Sequence, residues 1–260
     1  MALTFDNNTE GLSFSSSKLD LLDAITIMAW YRVSATANAA YTMLSKEFSA
    51  NSQLLLNRPS FGVGSNDWQF FHRRATTHSN IKTTGNIIQS GRWEWVCLLD
   101  SAGTAPTLLH GTLTTKPVEP VYNTQTTGVG AVTDDTGKAL VVGRTFDAMQ
   151  TFTGDLSFLA LYNRRMSQAE ALSHWPRPYV TSGCHLFTHP GYHGAVAATD
   201  LSGNAINAAV IGTPTLANPA PTPAPKLRLA RLQPSLSQSD TRRVSLGGSM
   251  ISSGRIVLAG

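Results

Sequence analysis

The nine residues Ile25–Val33 alternate with a period of two, and this narrows the folds open to the chain more than any other feature. Successive side chains of a strand point to opposite faces. Ile25, Ile27, Ala29, Tyr31 and Val33 therefore line one face, and Met28 and Trp30 the other. The segment reads as a central strand. Further strand-like runs separated by turn residues fill the chain up to residue 162: Leu3–Phe5, Leu12–Ser15, Tyr41–Phe48, Gln53–Asn57, Ser60–Val63, Trp68–Arg73, Trp93–Asp100, Thr107–Leu113, Ala139–Val142 and Leu156–Tyr162. One stretch reads as a helix. Ser167 stands as N-cap before Gln168–Leu172, with Glu170 at the capping-box position, and Pro176 and Pro178 stop it. Charged residues are 14% of the chain, while Thr, Ser, Ala, Gly and Asn abound, which favours short strands joined by tight polar turns. The expectation for 260 residues is an all-β protein with one main domain.

Residues 183–216 offer another strand pair, around Gly194–Ala198 and Ala208–Ile211, joined through the turn Asp200-Leu201-Ser202-Gly203-Asn204. The Pro/Ala run 219–225 then reads as an extended linker, and 226–260 as a separate arm. Charge divides at the same place. Lys226, Arg228, Arg231, Arg242, Arg243 and Arg255 face only Asp240, a net +5, which leaves −1 for residues 1–225 out of the total +4. The arm offers two short strands, Val244–Leu246 and Arg255–Leu258, too little to fold alone, so it needs a partner surface. Cys97 and Cys184 are too few for a disulfide framework and read as free core thiols. The N-terminus shows no basic and then apolar pattern of an export signal, and no stretch has the roughly 20 apolar residues of a membrane span.

Four places in the stretch Leu3–Trp175 resemble the concanavalin A-like lectin/glucanase superfamily, especially its laminin-G-like jelly rolls. Leu3-Thr4-Phe5-Asp6 is similar to the opening strand, and Ile25–Trp30 to the strand with a buried tryptophan. Gly91-Arg92-Trp93-Glu94-Trp95-Val96-Cys97, followed by Leu108-Leu109-His110-Gly111-Thr112, is similar to the paired strands of the middle. Phe152-Thr153-Gly154-Asp155-Leu156, running through Leu161-Tyr162-Asn163-Arg164 to Glu170, resembles the closing strand and helical turn. Gly154 fits a place where a side chain would clash, and Leu156, Phe158, Ala160 and Tyr162 are expected on one face. Asp200–Gly212 is similar to a segment that commonly opens such domains, yet it follows the closing strand, so the order looks permuted. The resemblance implies a jelly-roll β-sandwich of two antiparallel sheets over residues 1–218, with the arm extended beyond it.

The resemblance also raises glycoside hydrolysis, which needs two carboxylates close together in a groove. Glu94 and Asp100 are six residues apart, roughly 20 Å along a strand. They read instead as an exposed strand carboxylate and a turn residue, and no catalytic residues are expected. His185, His189 and His193 recur every four residues, but Pro190-Gly191 forbids the helix that would align them as metal ligands, so they read as surface or loop histidines. Asp134-Asp135 before Gly137, and Asp6 with Asn7 and Asn8, offer oxygens to calcium, yet such turns need no metal. The expectation is no cofactor and no metal, with calcium at these turns as the alternative. For a ligand, exposed aromatics that stack on sugars are the best case. Trp68, Phe70, Arg73 and Arg74 make one candidate patch, beside Phe71 and His72, with Tyr122 and Asn123 on another loop. The competing reading, that Trp68–His72 alternates into the core, is favoured.

The function expected from these features is a non-catalytic structural or decorating protein of a larger particle, a bacteriophage virion. It would expose the jelly roll and anchor through 226–260 on other protein subunits, its own copies included. A carbohydrate-binding adhesion module is the alternative, and a glycan-active enzyme the third reading. Glycan is a further ligand class, nucleic acid and membrane are not expected, and the virion surface or, failing that, the extracellular space is the expected location.

Overall fold

A computed structural model describes residues 2–6, 9–34, 41–46, 54–58, 66–145, 150–175, 177–190 and 198–218. The chain divides between Ala224 and Pro225. The linker 219–225, the arm 226–260, the Ser60–Val63 run, Gly194–Ala197, Asn7, Asn8 and His193 lie outside the described residues.

The strands in chain order are β1 (Ala2–Phe5), β2 (Gly11–Phe14), β3 (Ile25–Val33), β4 (Tyr41–Lys46), β5 (Leu54–Arg58), β6 (Gln69–His72), β7 (Ser79–Thr83), β8 (Trp93–Ser101), β9 (Thr104–Thr112), β10 (Tyr122–Thr126), β11 (Leu140–Val142), β12 (Gly154–Tyr162), β13 (Cys184–Thr188), β14 (Ala209–Ile211) and β15 (Thr215–Ala217). They form two antiparallel sheets. A seven-stranded sheet runs β15-β1-β12-β3-β8-β9, with β13 also on β12, and an eight-stranded sheet runs β10-β7-β6-β5-β4-β11-β2-β14. β1 and β13 divide β12 between them: β1 pairs with Gly154–Leu156 and β13 with Leu159–Tyr162. β14 pairs with β2 and β15 with β1, so residues 209–217 add a strand beside the first two strands of the chain, one in each sheet.

β3 has the bounds expected from its alternation, and its two faces enter two different cores. Ile25, Ile27, Ala29, Tyr31 and Val33 pack between the sheets with Leu44, Leu56, Phe70, Val96 and Leu98. Met28 and Trp30 pack on the other side, with Trp95, Cys97, Phe158, Ala160 and Tyr162. Cys97 and Cys184 are free and buried, as expected. The helix α1 (Gln168–His174) also forms where expected, its first turn capped by Ser167 Oγ accepting from the Glu170 N–H at 3.2 Å.

β12 departs from the expectation at one residue. Leu156 lies opposite Tyr31 and Phe158 opposite Trp30, so the register slips between them. A bulge inserts one residue and reverses the alternation. Leu156 therefore joins the core between the sheets, while Phe158, Ala160 and Tyr162 face the other way. Gly154 starts the strand with φ +156°, and a Cβ there would lie 2.1 Å from the Arg32 carbonyl oxygen. Only glycine fits between β12 and β3 at this point. Among the described residues no helix is long and apolar enough to cross a membrane.

Candidate ligand-binding face

The outer face of the seven-stranded sheet is closed. Its outward row of Trp93, Trp95, Cys97 and Leu99 is buried with Ala171 of α1, and Leu172 and Trp175 pack against the same cluster. The outer face of the eight-stranded sheet is different in kind. β5, β6 and β7 send Leu56, Phe70 and Ile81 inward in register, so the residues between them face outward. Two rows result. Thr42, Asn57, Gln69, Lys82 and Thr124 lie side by side across β4, β5, β6, β7 and β10. Ser45, Leu55, Phe71, Asn80 and Thr126 form the parallel row.

The β4–β5 half of this face is covered. Gln150 Oε1 accepts from Thr42 Oγ1 at 3.2 Å and Asn57 Nδ2 at 3.3 Å, and Ser45 Oγ donates to the Arg144 carbonyl at 3.1 Å. Over β6, β7 and β10 the face is open, with Gln69, Phe71, Asn80, Lys82, Thr124 and Thr126 all half-buried. Phe71 makes an edge contact with His78, the ring centroids 5.0 Å apart. An aromatic ring bordered by amides, hydroxyls and an ammonium can stack on a sugar and bond its hydroxyls.

Of the six residues singled out in the sequence for ligand binding, Arg73 follows β6 and is half-buried, and Asn123 is exposed on β10. The other four belong to the core or to a buried network. Trp68 and Phe70 are core residues, 1% and 0% exposed, so neither ring is available for stacking. Arg74 is wholly buried in an ion network, and Tyr122 packs against the core with its hydroxyl accepting from the Leu108 N–H at 2.9 Å. Burial, the largest cause, raises the Tyr122 pKa above its usual value. Gln69, Asn80 and Lys82 escaped the sequence reading. The signal that could have found them is the alternation Ser79-Asn80-Ile81-Lys82-Thr83 around one inward isoleucine.

Glu94 and Asp100 require a correction: neither is exposed nor in a turn. Both lie on β8 and are completely buried between the sheets. Glu94 Oε2 accepts from the Tyr31 hydroxyl at 2.7 Å and lies 3.2 Å from His110 Nε2, and Oε1 accepts from Arg92 Nε at 2.5 Å. Trp68 Nε1 donates to the same Tyr31 hydroxyl at 3.2 Å. Asp100 Oδ2 lies 2.8 Å from His72 Nδ1 and 2.9 Å from Arg74 Nη2. Arg74 also donates to the Asp23 carboxylate at 2.5 Å. Burial alone would raise both carboxyl pKa values. The bonds from His110, Tyr31 and Arg92 to Glu94, and from His72 and Arg74 to Asp100, outweigh it and hold both below their usual values.

The turn that could have offered oxygens to calcium is occupied by an ammonium. Lys46 Nζ lies 2.6 Å from the Leu19 carbonyl, 2.8 Å from Asp20 Oδ1 and 2.9 Å from Asp135 Oδ2. Asp134 bonds the Thr136 N–H. Among the described residues no three His, Cys, Asp or Glu side chains gather as a metal site. His185 belongs to β13, not to a loop, and its Nδ1 lies 2.5 Å from the Lys18 carbonyl. A cavity of about 360 Å³ lies at one end of the sandwich, lined by Leu21, Asp23, Ala102, Gly130, Ala131 and Val132. Its walls are mostly apolar, and its carboxylate is already paired with Arg74.

The two stacked antiparallel sheets have the architecture of a jelly roll, and the sequence model of the concanavalin A-like lectin/glucanases superfamily matches residues 6–171. The chain belongs to this superfamily. The match ends before Asp200–Gly212, the segment that packs beside the opening strands. A carbohydrate-binding candidate from Bacteroides ovatus superposes with a TM-score of 0.60 at 14% identity, over 84% of this chain and 61% of its own length. The heptameric SAP-like pentraxin of Limulus polyphemus gives 0.47 at 14% identity, over 68% of this chain and 82% of its own. The CBM40 domain of the Ruminococcus gnavus IT-sialidase gives 0.47 at 15%, over 66% and 95%. No curated protein matches the chain. The fold is that of a lectin-like domain.

Proposed function

We propose that the jelly roll is a non-catalytic glycan-binding module, with the sugar seated on the outer face of β6, β7 and β10. The observation that carries this reading is the half-exposed Phe71 ring, set in register among Gln69, Asn80 and Lys82 on the open half of the face. Superfamily membership makes a glycan the first ligand class to test. The non-catalytic part is supported by how the carboxylates are spent. A glycosidase acid must hold a proton near neutral pH, which requires a raised pKa. Glu94 and Asp100 are pulled the other way and buried away from solvent. Asp155 is paired with Arg32, Asp20 and Asp135 with Lys46, and Glu170 with Arg164.

Phe71→Ala tests the face. The wild type should bind on a glycan array, and the variant should bind its best sugar about tenfold more weakly, a loss of roughly 1.4 kcal/mol of stacking. Its melting temperature should hardly change, because the ring is half-exposed. Unchanged affinity in the variant, or no glycan bound by the wild type, would overturn the proposal.

The same proposal extends to the arm, which we read as the anchor of the head on protein subunits of a larger particle, with a virion surface as the setting. Support comes from the segregation of charge, +5 beyond residue 225 against −1 before it, and from the division of the chain at Ala224. The full chain should sediment with particles from its source, and residues 1–218 should stay in the supernatant. Equal recovery of the two would contradict the anchor.

A further inference from the structure

Building on the glycan reading of this face, we propose that the sugar it takes is acidic, its carboxylate or sulfate held by Lys82. Lys82 stands in register between Gln69 and Thr124, and Phe71 is paired with Asn80 two residues away. Neighbouring strands are about 4.8 Å apart and diagonal neighbours about 7–8 Å, so a lysine side chain reaches a ring stacked on the diagonal phenylalanine.

Among the described residues the two rows carry charge of one sign. In the two rows across β4, β5, β6, β7 and β10, Lys82 is the ionisable residue, and no carboxylate accompanies it. The carboxylate nearest to Phe71 in sequence, Asp67, is buried and accepts from Thr83 Oγ1 at 3.3 Å and the Asn86 N–H at 3.1 Å. Glu94 and Asp100 face the core between the sheets, already matched by Arg92, His72 and Arg74. Among the described residues of these two rows, an anion above Phe71 meets the Lys82 ammonium and no carboxylate.

The other groups on the face suit a hydroxylated ligand. Gln69, Thr124 and Thr126, half-buried along the two rows, offer donors and acceptors for sugar hydroxyls. An ammonium offers a compact point charge with three donors and no planar fork, so it can serve a carboxylate or a sulfate alike.

The test uses the full chain with matched sugars: glucuronic acid-terminated and sulfated disaccharides, each against its uncharged parent, titrated calorimetrically into the wild type, Lys82→Gln and Phe71→Ala. The wild type should prefer either acidic form by about fivefold to tenfold at low salt, with the preference shrinking as salt screens it. Lys82→Gln should lose the preference and keep the affinity for the uncharged parent. Phe71→Ala should weaken both. Equal wild-type affinity for acidic and uncharged sugars, or a preference that survives Lys82→Gln, overturns the acidic assignment while the Phe71 result still upholds the face. If Phe71→Ala weakens neither, the glycan face itself is wrong and the acidic assignment falls with it.

Discussion

Asp100→Ala is expected to destabilise the jelly roll by about 3–5 kcal/mol, the cost of removing one partner from a buried ion network. Asp100 and Arg74 are both 0% exposed, and the carboxylate joins Arg74 on one side to His72 on the other. Without it, Arg74 keeps one carboxylate, that of Asp23, whose side chain is 59% exposed and already partly solvated. The guanidinium then remains in the interior with too little to compensate it. Denaturant unfolding followed by tryptophan fluorescence measures the loss, and a change under about 1 kcal/mol would show that the network contributes little. Acid reaches the same groups in the wild type. The folded-state pKa values of Asp100 and Glu94 lie below their unfolded values, so the unfolded chain binds the more protons as pH falls. Their contribution is complete above the ordinary carboxylate pKa and is lost as pH falls through the lower, folded one.

Trp68→Ala is expected to cost a similar amount, about 3–5 kcal/mol, for a different reason. The indole is buried between the sheets, stands edge-on to Tyr31 with centroids 5.2 Å apart, and donates to the hydroxyl that Glu94 accepts. Truncation opens a cavity and removes one donor from that hydroxyl. Phe71, three residues later, faces the opposite side and should lose binding with little stability. A Trp68→Ala protein that keeps wild-type stability would contradict the parity of β6, because only an outward indole could be lost so cheaply.

That parity shows what the residues alone could and could not reveal. In Ile25–Val33 one face of the alternation carries the core residues and the other a methionine and a tryptophan, so both faces are legible, and the structure gives each its own core. In Trp68–Arg74 large or basic side chains occupy both parities, and the outward set could not be chosen without the cross-strand partners Leu56 and Ile81. β7 and β10 were passed over because Ser-Asn-Ile-Lys-Thr and Tyr-Asn-Thr-Gln-Thr have little apolar content. They owe their strand state to backbone pairing with β6 and with each other. The bulge after Leu156 carries no compositional mark, yet it moves that residue to the opposite core. Glu94 was misread because carboxylates are seldom buried unless paired. Its partners Tyr31 and His110 come from β3 and β9, 63 and 16 residues away in the chain.

The position of the sugar is the decisive point. Backbone chemical shifts of the full chain, titrated with a glucuronic acid-terminated disaccharide, test this most directly. Binding should shift Gln69–His72, Ser79–Thr83 and Tyr122–Thr126 as one saturable set. Shifts confined to Leu21–Asp23 and Gly130–Val132, around the cavity at the end of the sandwich, would place the ligand elsewhere and contradict the assignment of the open sheet face.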